Sequence, residues 1–137
     1  MEVIDRALRE EDFKAIKNYF TGSMIAPYYL TETLESPPIE GYLDCFQFVH
    51  MSIAEGNILY QESLNILTPL LRVLNPYTVI RLKVNITHRT SKVIENGLHT
   101  DENKERVPKD TKVKSSIFYL NSNDGYTSFE TGERIES

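Results

Sequence analysis

Between Leu64 and Ile86 the spacing of apolar residues changes from that of a helix to that of a strand. Leu64, Leu67, Leu71 and Leu74 recur at intervals of three and four, the repeat that lines one side of a helix. Asn75-Pro76 then offers a stop, because a residue before proline is disfavoured in helical conformation. Pro69 falls inside the pattern; it removes one backbone donor and is expected to bend the helix or split it. Across residues 78–86 the period is two: Ile80, Leu82, Val84 and Ile86 form one face and Arg81, Lys83 and Asn85 the other. The two periods together imply an α+β chain.

Upstream, Phe13, Ile16 and Phe20 sit at helical spacing, acidic residues occupy the first turn where they complement the helix dipole, and Gly22 follows the end. A helix over residues 10–20, packed on a sheet, is expected. Residues 31–40 contain Pro37-Pro38 among polar and acidic residues and read as a loop. Residues 45–51 are a short β-prone stretch in which Phe46, Phe48 and His50 share a face if extended.

The length of 137 residues suits one compact domain, and 40% hydrophobic content with 6 Phe and 8 Tyr supplies a core. A net charge of -5 argues against a phosphate-binding surface, so no nucleic-acid partner is expected. Cys45 is the only cysteine, which excludes an internal disulfide and a cysteine-rich zinc site. The charged N-terminus has no signal-peptide core, and no apolar run approaches a membrane span. The expectation is a cytoplasmic, reduced protein with no membrane partner.

His99-Thr100-Asp101 is the pattern that points to chemistry. On an extended segment, side chains two apart lie on one face, so the imidazole and the carboxylate can meet at one point. They would be two corners of the two-histidine, one-carboxylate triad of non-haem iron oxygenases. Such a tripeptide is common by chance, and its ordinary role is a surface pair without metal. Its neighbours add weight. Residues 115–121 form an apolar, β-prone run ending Phe118-Tyr119-Leu120-Asn121; Ser122-Asn123-Asp124-Gly125 is turn-like; Tyr126-Thr127-Ser128-Phe129-Glu130 can form a second strand. The run 102–110 is mixed in sign and interrupted by Pro108; it reads as solvated loop or as a flap over a site.

In this order, with residues 81–86 ahead of them and residues 24–29 near the start, these segments resemble the 2-oxoglutarate- and Fe(II)-dependent oxygenases. The likeness is to the small prolyl 4-hydroxylase-like proteins of the phage type, and it runs from about Leu8 to Ile135. The resemblance implies N-terminal helices (about 1–76) packed on an incomplete double-stranded β-helix (about 77–137), a jelly roll of the cupin kind. It implies Fe(II), 2-oxoglutarate as cosubstrate and ascorbate as accessory reductant, with a small-molecule or peptide substrate that the residues do not specify. His99 and Asp101 would bind the metal. Tyr119 would donate its phenol hydrogen to the distal carboxylate of 2-oxoglutarate, Ile117 would line the cosubstrate pocket by strand parity, and Thr127 would support it. Gly125 would permit a turn that a Cβ would hinder.

The chain departs from the family in three places. Thr87 stands where many relatives carry a tyrosine that reaches the keto acid. No histidine follows Asp101, since His50 and His88 both precede it. Arg134, the one arginine of the closing segment, is on the wrong strand for the basic partner of the distal carboxylate. A jelly roll uses about eight strands, of which this sequence supplies roughly the first half. The reading is therefore an oxygenase chain truncated at its C-terminus and inactive as it stands. The alternatives are a non-catalytic binding or assembly module with a degenerate jelly-roll half, and a cupin-like sugar isomerase or binding protein.

Overall fold

A computed structural model describes residues 2–22, 26–32, 46–89, 94–95, 97–99 and 111–136. The chain divides into two compact units, one formed by Met1–Glu32 with Phe46–Arg89 and one by Thr33–Cys45 with Thr90–Ser137.

The first unit begins with helix α1 (Glu10–Thr21), close to the span the heptad-like spacing predicts. Glu10, Glu11 and Asp12 fill its first turn, where carboxylates face the positive end of the helix. Arg9 bonds back to Asp12 at 2.9 Å, fixing the entry of the chain. Ile16 and Phe20 are buried, which gives the helix its inward side.

Strands β1 (Tyr29–Glu32), β2 (Phe46–Ala54), β3 (Asn57–Ile58) and β4 (Leu82–Thr87) form one antiparallel sheet. β2 lies at its centre. β1 pairs with residues 46–49 of β2 and β3 with residues 53–54, while β4 pairs along residues 47–53 on the other edge. The register sets Phe48 opposite Ile86 and His50 opposite Val84, so the apolar side of β4 shares a face with Phe48 and His50.

Between Met51 and Ile53 the β2–β4 register shifts, and Ser52 is the extra residue of a bulge. Its carbonyl accepts the Leu59 N–H at 2.9 Å and the Tyr60 N–H at 3.4 Å. Its hydroxyl meets that of Ser63 at 2.8 Å, and Ser63 Oγ donates to the Tyr60 carbonyl at 3.0 Å. Both serines are fully buried. Ser52 therefore ties the middle of the sheet to the start of the next helix through groups that would otherwise be costly to bury.

β2 and β3 are joined by Glu55-Gly56, both at positive φ (51° and 76°). This is the two-residue hairpin whose twist matches its strands, and the glycine takes the left-handed position without a Cβ penalty. The sequence reading ended the strand near residue 51 and missed this hairpin, because Glu-Gly is a weaker turn signal than Asn-Gly.

Helix α2 (Gln61–Leu74) is a single element despite Pro69. Of the expected bend or split, the split is not observed. Pro69 forfeits one bond, while Leu67 and Leu70 are buried on either side of it and hold the turn in place. The helix ends at Asn75 in the left-handed conformation, with its N–H on the Leu71 carbonyl at 2.8 Å. β4 starts at Leu82, later than the alternation suggested. Ile80 precedes the strand, and its carbonyl accepts the Gly56 N–H at 2.9 Å from the hairpin turn.

The second unit contains one described hairpin, β5 (Tyr126–Ser128) with β6 (Arg134–Glu136). Phe129 accepts the Gly132 N–H and donates to Glu133, both at 2.9 Å. Gly132 has φ 85°, so the loop is a turn closed by a left-handed glycine. Residues 115–121, expected as a strand, join no ladder among the described residues. Described residues of this unit are half-buried or exposed, whereas Ile16, Phe20, Ala26, Val49, Ile53, Leu67 and Leu70 give the first unit a core.

The architecture is thus mixed helix and antiparallel sheet, an α+β arrangement. The four-stranded and two-stranded sheets of the described residues do not themselves make a jelly roll. No helix among the described residues is long and apolar enough to cross a membrane.

Candidate functional site

The residues that the sequence singles out are divided between two places. His99 is exposed, and its Nδ1 lies 3.1 Å from the Gly97 carbonyl oxygen. A carbonyl can only accept, so Nδ1 carries the hydrogen of this bond. Histidines that bind metals are commonly oriented in this way, with the second nitrogen donating to a backbone carbonyl. Asp101, and Thr100 between them, lie outside the described residues.

Tyr119 and Thr127 come together. The phenol oxygen and Thr127 Oγ1 are 2.5 Å apart, with both residues half-buried. β5 positions Thr127: its cross-strand partner is Ile135, so Thr127 and Ile135 point to one face of the hairpin while Tyr126 and Arg134 lie on the other. Ile117 is 56% exposed, and the segment holding it joins no ladder, so strand parity does not set its direction.

Gly125 donates its N–H to Asn123 Oδ1 at 2.7 Å, and a Cβ at Gly125 would come within 2.6 Å of that oxygen. Gly125 is not at positive φ, and a Cβ there would have to displace only the end of the Asn123 side chain. Thr87 is exposed at the end of β4.

Arg134 occupies the face away from Thr127. Its Cζ sits 3.2 Å from the centroid of the Tyr126 ring, and its Nε lies 3.3 Å from Glu136 Oε1. The Tyr126 hydroxyl donates to the Glu95 carboxylate. That hydrogen bond, aided by desolvation and by the Glu95 charge, holds the phenol above the ordinary tyrosine range. No sequence signal links Glu95 to Tyr126, because the pair is joined by tertiary contact and not by spacing.

The two remaining histidines belong to the first unit. His50 is fully buried among the rings of Tyr60, Phe20 and Tyr28, at centroid separations of 4.9, 5.6 and 5.9 Å. Its Nδ1 donates to the Pro27 carbonyl at 2.8 Å. His88 stacks on Phe46 at 4.3 Å and an interplanar angle of 14°. His50 Nε2 and both ring nitrogens of His88 are buried without a hydrogen-bond partner among the described residues. Neither ring has a carboxylate or thiolate neighbour in these contacts, so each reads as a packed aromatic group.

Among the described residues no three or more His, Cys, Asp or Glu side chains gather where a metal ion could be held. A surface cleft of about 320 Å³ in the first unit is lined by Leu8, Arg9, Asp12, Pro69, Arg72 and Val73 with Ala7, and it holds none of the expected site residues.

Comparison of the chain with protein-family models, with curated proteins and with solved structures gives no match. The chemistry of the site therefore rests on the residues themselves. His99 and Asp101 stand two apart in sequence, and of the two only His99 lies among the described residues, with Nδ1 on the Gly97 carbonyl. The Tyr119–Thr127 pair shares one hydroxyl hydrogen between its oxygens and leaves the other hydroxyl hydrogen to a further acceptor.

Proposed function

We propose that this chain carries part of the site of a 2-oxoglutarate- and Fe(II)-dependent dioxygenase of the prolyl 4-hydroxylase-like type, within a portion of a jelly roll. The observation that carries the reading is the joining of Tyr119 and Thr127 hydroxyls at 2.5 Å, downstream of a histidine whose Nδ1 donates to the Gly97 carbonyl. His99 and Asp101 would hold the metal. Tyr119 and Thr127 would receive the distal carboxylate of 2-oxoglutarate, the phenol donating while its ring stays half-buried. With both groups bound, the chemistry supplied is oxidative decarboxylation of the keto acid coupled to hydroxylation of a C–H bond, with ascorbate as accessory reductant.

The chain's own residues bind and orient. Nδ1–H of His99 would stay on the Gly97 carbonyl, so that Nε2 would be the nitrogen to meet the metal. Thr127 limits rotation of the Tyr119 hydroxyl. This sequence offers one histidine and one carboxylate in the motif, with no histidine after Asp101, so the property to test is binding and not turnover.

The test is anaerobic titration with Fe(II), with and without 2-oxoglutarate, of the 137-residue chain and its variants. Loss of binding in His99→Ala and Asp101→Ala, with His50→Ala and His88→Ala retaining it, is the expected outcome. Tyr119→Phe should leave the metal step intact and weaken 2-oxoglutarate by about ten-fold, the lower range for a hydrogen bond to a charged group. Metal binding that is indifferent to His99 and Asp101 would remove the assignment.

A second reading, a non-catalytic binding or assembly module, draws support from the core of the first unit, where Ile16, Phe20, Ile53 and Leu67 are closed from solvent. Limited proteolysis separates the two: such a module resists cleavage across both units and gains no protection from Fe(II).

A further inference from the structure

The hairpin of the second unit has two chemically different faces, and the face away from Thr127 has a partner. Tyr126 lies there with its ring covered by the Arg134 guanidinium at 3.2 Å, and Arg134 is in turn held by Glu136. The β5–β6 register sets Tyr126 directly opposite Glu136, so ring, guanidinium and carboxylate are ordered by the same ladder. With the ring pinned, its hydroxyl has one direction to point, and it donates to Glu95. Glu95 is four residues before His99, and the Gly97 carbonyl between them takes the His99 Nδ1–H.

We infer that Tyr126 is a positioning residue for His99: through Glu95 it ties the segment that carries the imidazole to the hairpin that carries Thr127. The inference rests on the iron-binding reading of His99. Four residues of fully extended chain span at most about 14 Å, so fixing Glu95 confines the His99 backbone to a sphere of that radius. Without the tether the segment would have to be ordered on binding, and the ordering would weaken the ligand. A cation stacked on the ring makes the phenol a rigid anchor, because the stack resists rotation of the ring away from Glu95.

The tether separates from general stability in its atoms. Tyr126→Phe removes only the hydroxyl and keeps the stack on Arg134. Glu95→Ala removes the acceptor, and Glu95→Gln retains a carbonyl oxygen that can accept the same hydrogen bond. Co(II), used as the probe metal on the full chain, reports through its visible absorption. Expected are a dissociation constant raised about five-fold in Tyr126→Phe and in Glu95→Ala, as the loss of one hydrogen bond implies, and near-native binding with an unchanged Co(II) spectrum in Glu95→Gln. Equal Co(II) affinity in all four proteins overturns the inference.

If the parent chain binds no Co(II), the iron reading of the site fails. The tether is then judged by NMR of the backbone amides of residues 97–99. Shifts there in Tyr126→Phe, restored in character by Glu95→Gln relative to Glu95→Ala, support it. Unmoved resonances in all variants overturn it.

Discussion

The buried serine pair allows a sharp energetic test, because its two members are not equivalent. Ser63 Oγ contacts both the Ser52 hydroxyl, at 2.8 Å, and the Tyr60 carbonyl, at 3.0 Å. Replacing Ser63 by Ala removes both contacts and leaves the fully buried Ser52 hydroxyl without that partner. A lost hydrogen bond is worth about 1 kcal/mol and an orphaned buried hydroxyl costs about 1–3 kcal/mol. Against this, alanine is the better helix former by about 0.5 kcal/mol. The net expectation is a loss of about 2 kcal/mol for Ser63→Ala. Ser52→Ala leaves Ser63 its bond to Tyr60 and should lose about 1 kcal/mol. The double variant no longer carries an orphan, so it should cost less than the two single changes together, with a coupling of about 1 kcal/mol. Urea unfolding followed by far-ultraviolet circular dichroism measures this, and 2 kcal/mol corresponds to a midpoint shift of about 1 M at an ordinary slope. A Ser52→Ala cost equal to or above that of Ser63→Ala, or strict additivity, would refute the geometry of the pair.

Two further outcomes follow from the first unit. Burial, with a smaller effect of Tyr19, pushes the Tyr28 phenol up to about 12, and its hydroxyl donates to the Phe20 carbonyl at 3.0 Å. Since the folded value is raised, the associated stability is intact below the unfolded value near 10 and is lost as pH rises toward 12. Tyr28→Phe should flatten that alkaline decline in pH-dependent unfolding. Gly56→Ala places a Cβ at φ 76° and should lower stability by about 1–2 kcal/mol in the same urea assay, although no atom lies within 4 Å of that Cβ.

Local periodicity carried much of the first unit. The spacing of Phe13, Ile16 and Phe20 located α1, the leucine repeat located α2 with its Asn75 stop, and the alternation at residues 80–86 located β4. These succeed because an amphipathic element announces its own inward side. The errors occur where tertiary contact overrules local preference. Pro69 was read as a bend or a split, and the helix stays a single element with Leu67 and Leu70 buried on either side of it. Ser52 looks like an ordinary strand residue until its bulge and its bond to Ser63 are seen. In the second unit the apolar run 115–121 suggested a strand by composition, and among the described residues it joins no ladder, which a strand needs.

The candidate site was legible as residue types and partly as proximity. Tyr119 and Thr127 are eight apart in sequence and meet through the turn at Gly125, which the glycine and Asn123 foreshadow. Ile117 was placed by parity alone, and parity holds only within a paired strand. The Glu95–Tyr126 contact spans 31 residues and has no local signature.

The extra residue in β2 lets one strand satisfy two incompatible demands. A regular ladder would carry the β2–β4 pairing straight through from Met51–Lys83 to Ile53–Leu82, and Ser52 would not be needed for it. Excising that serine should therefore leave the sheet able to zip up while cutting the cord to the foot of α2. The segment thus has a built-in point at which the start of α2 and the sheet can be uncoupled by a single deletion.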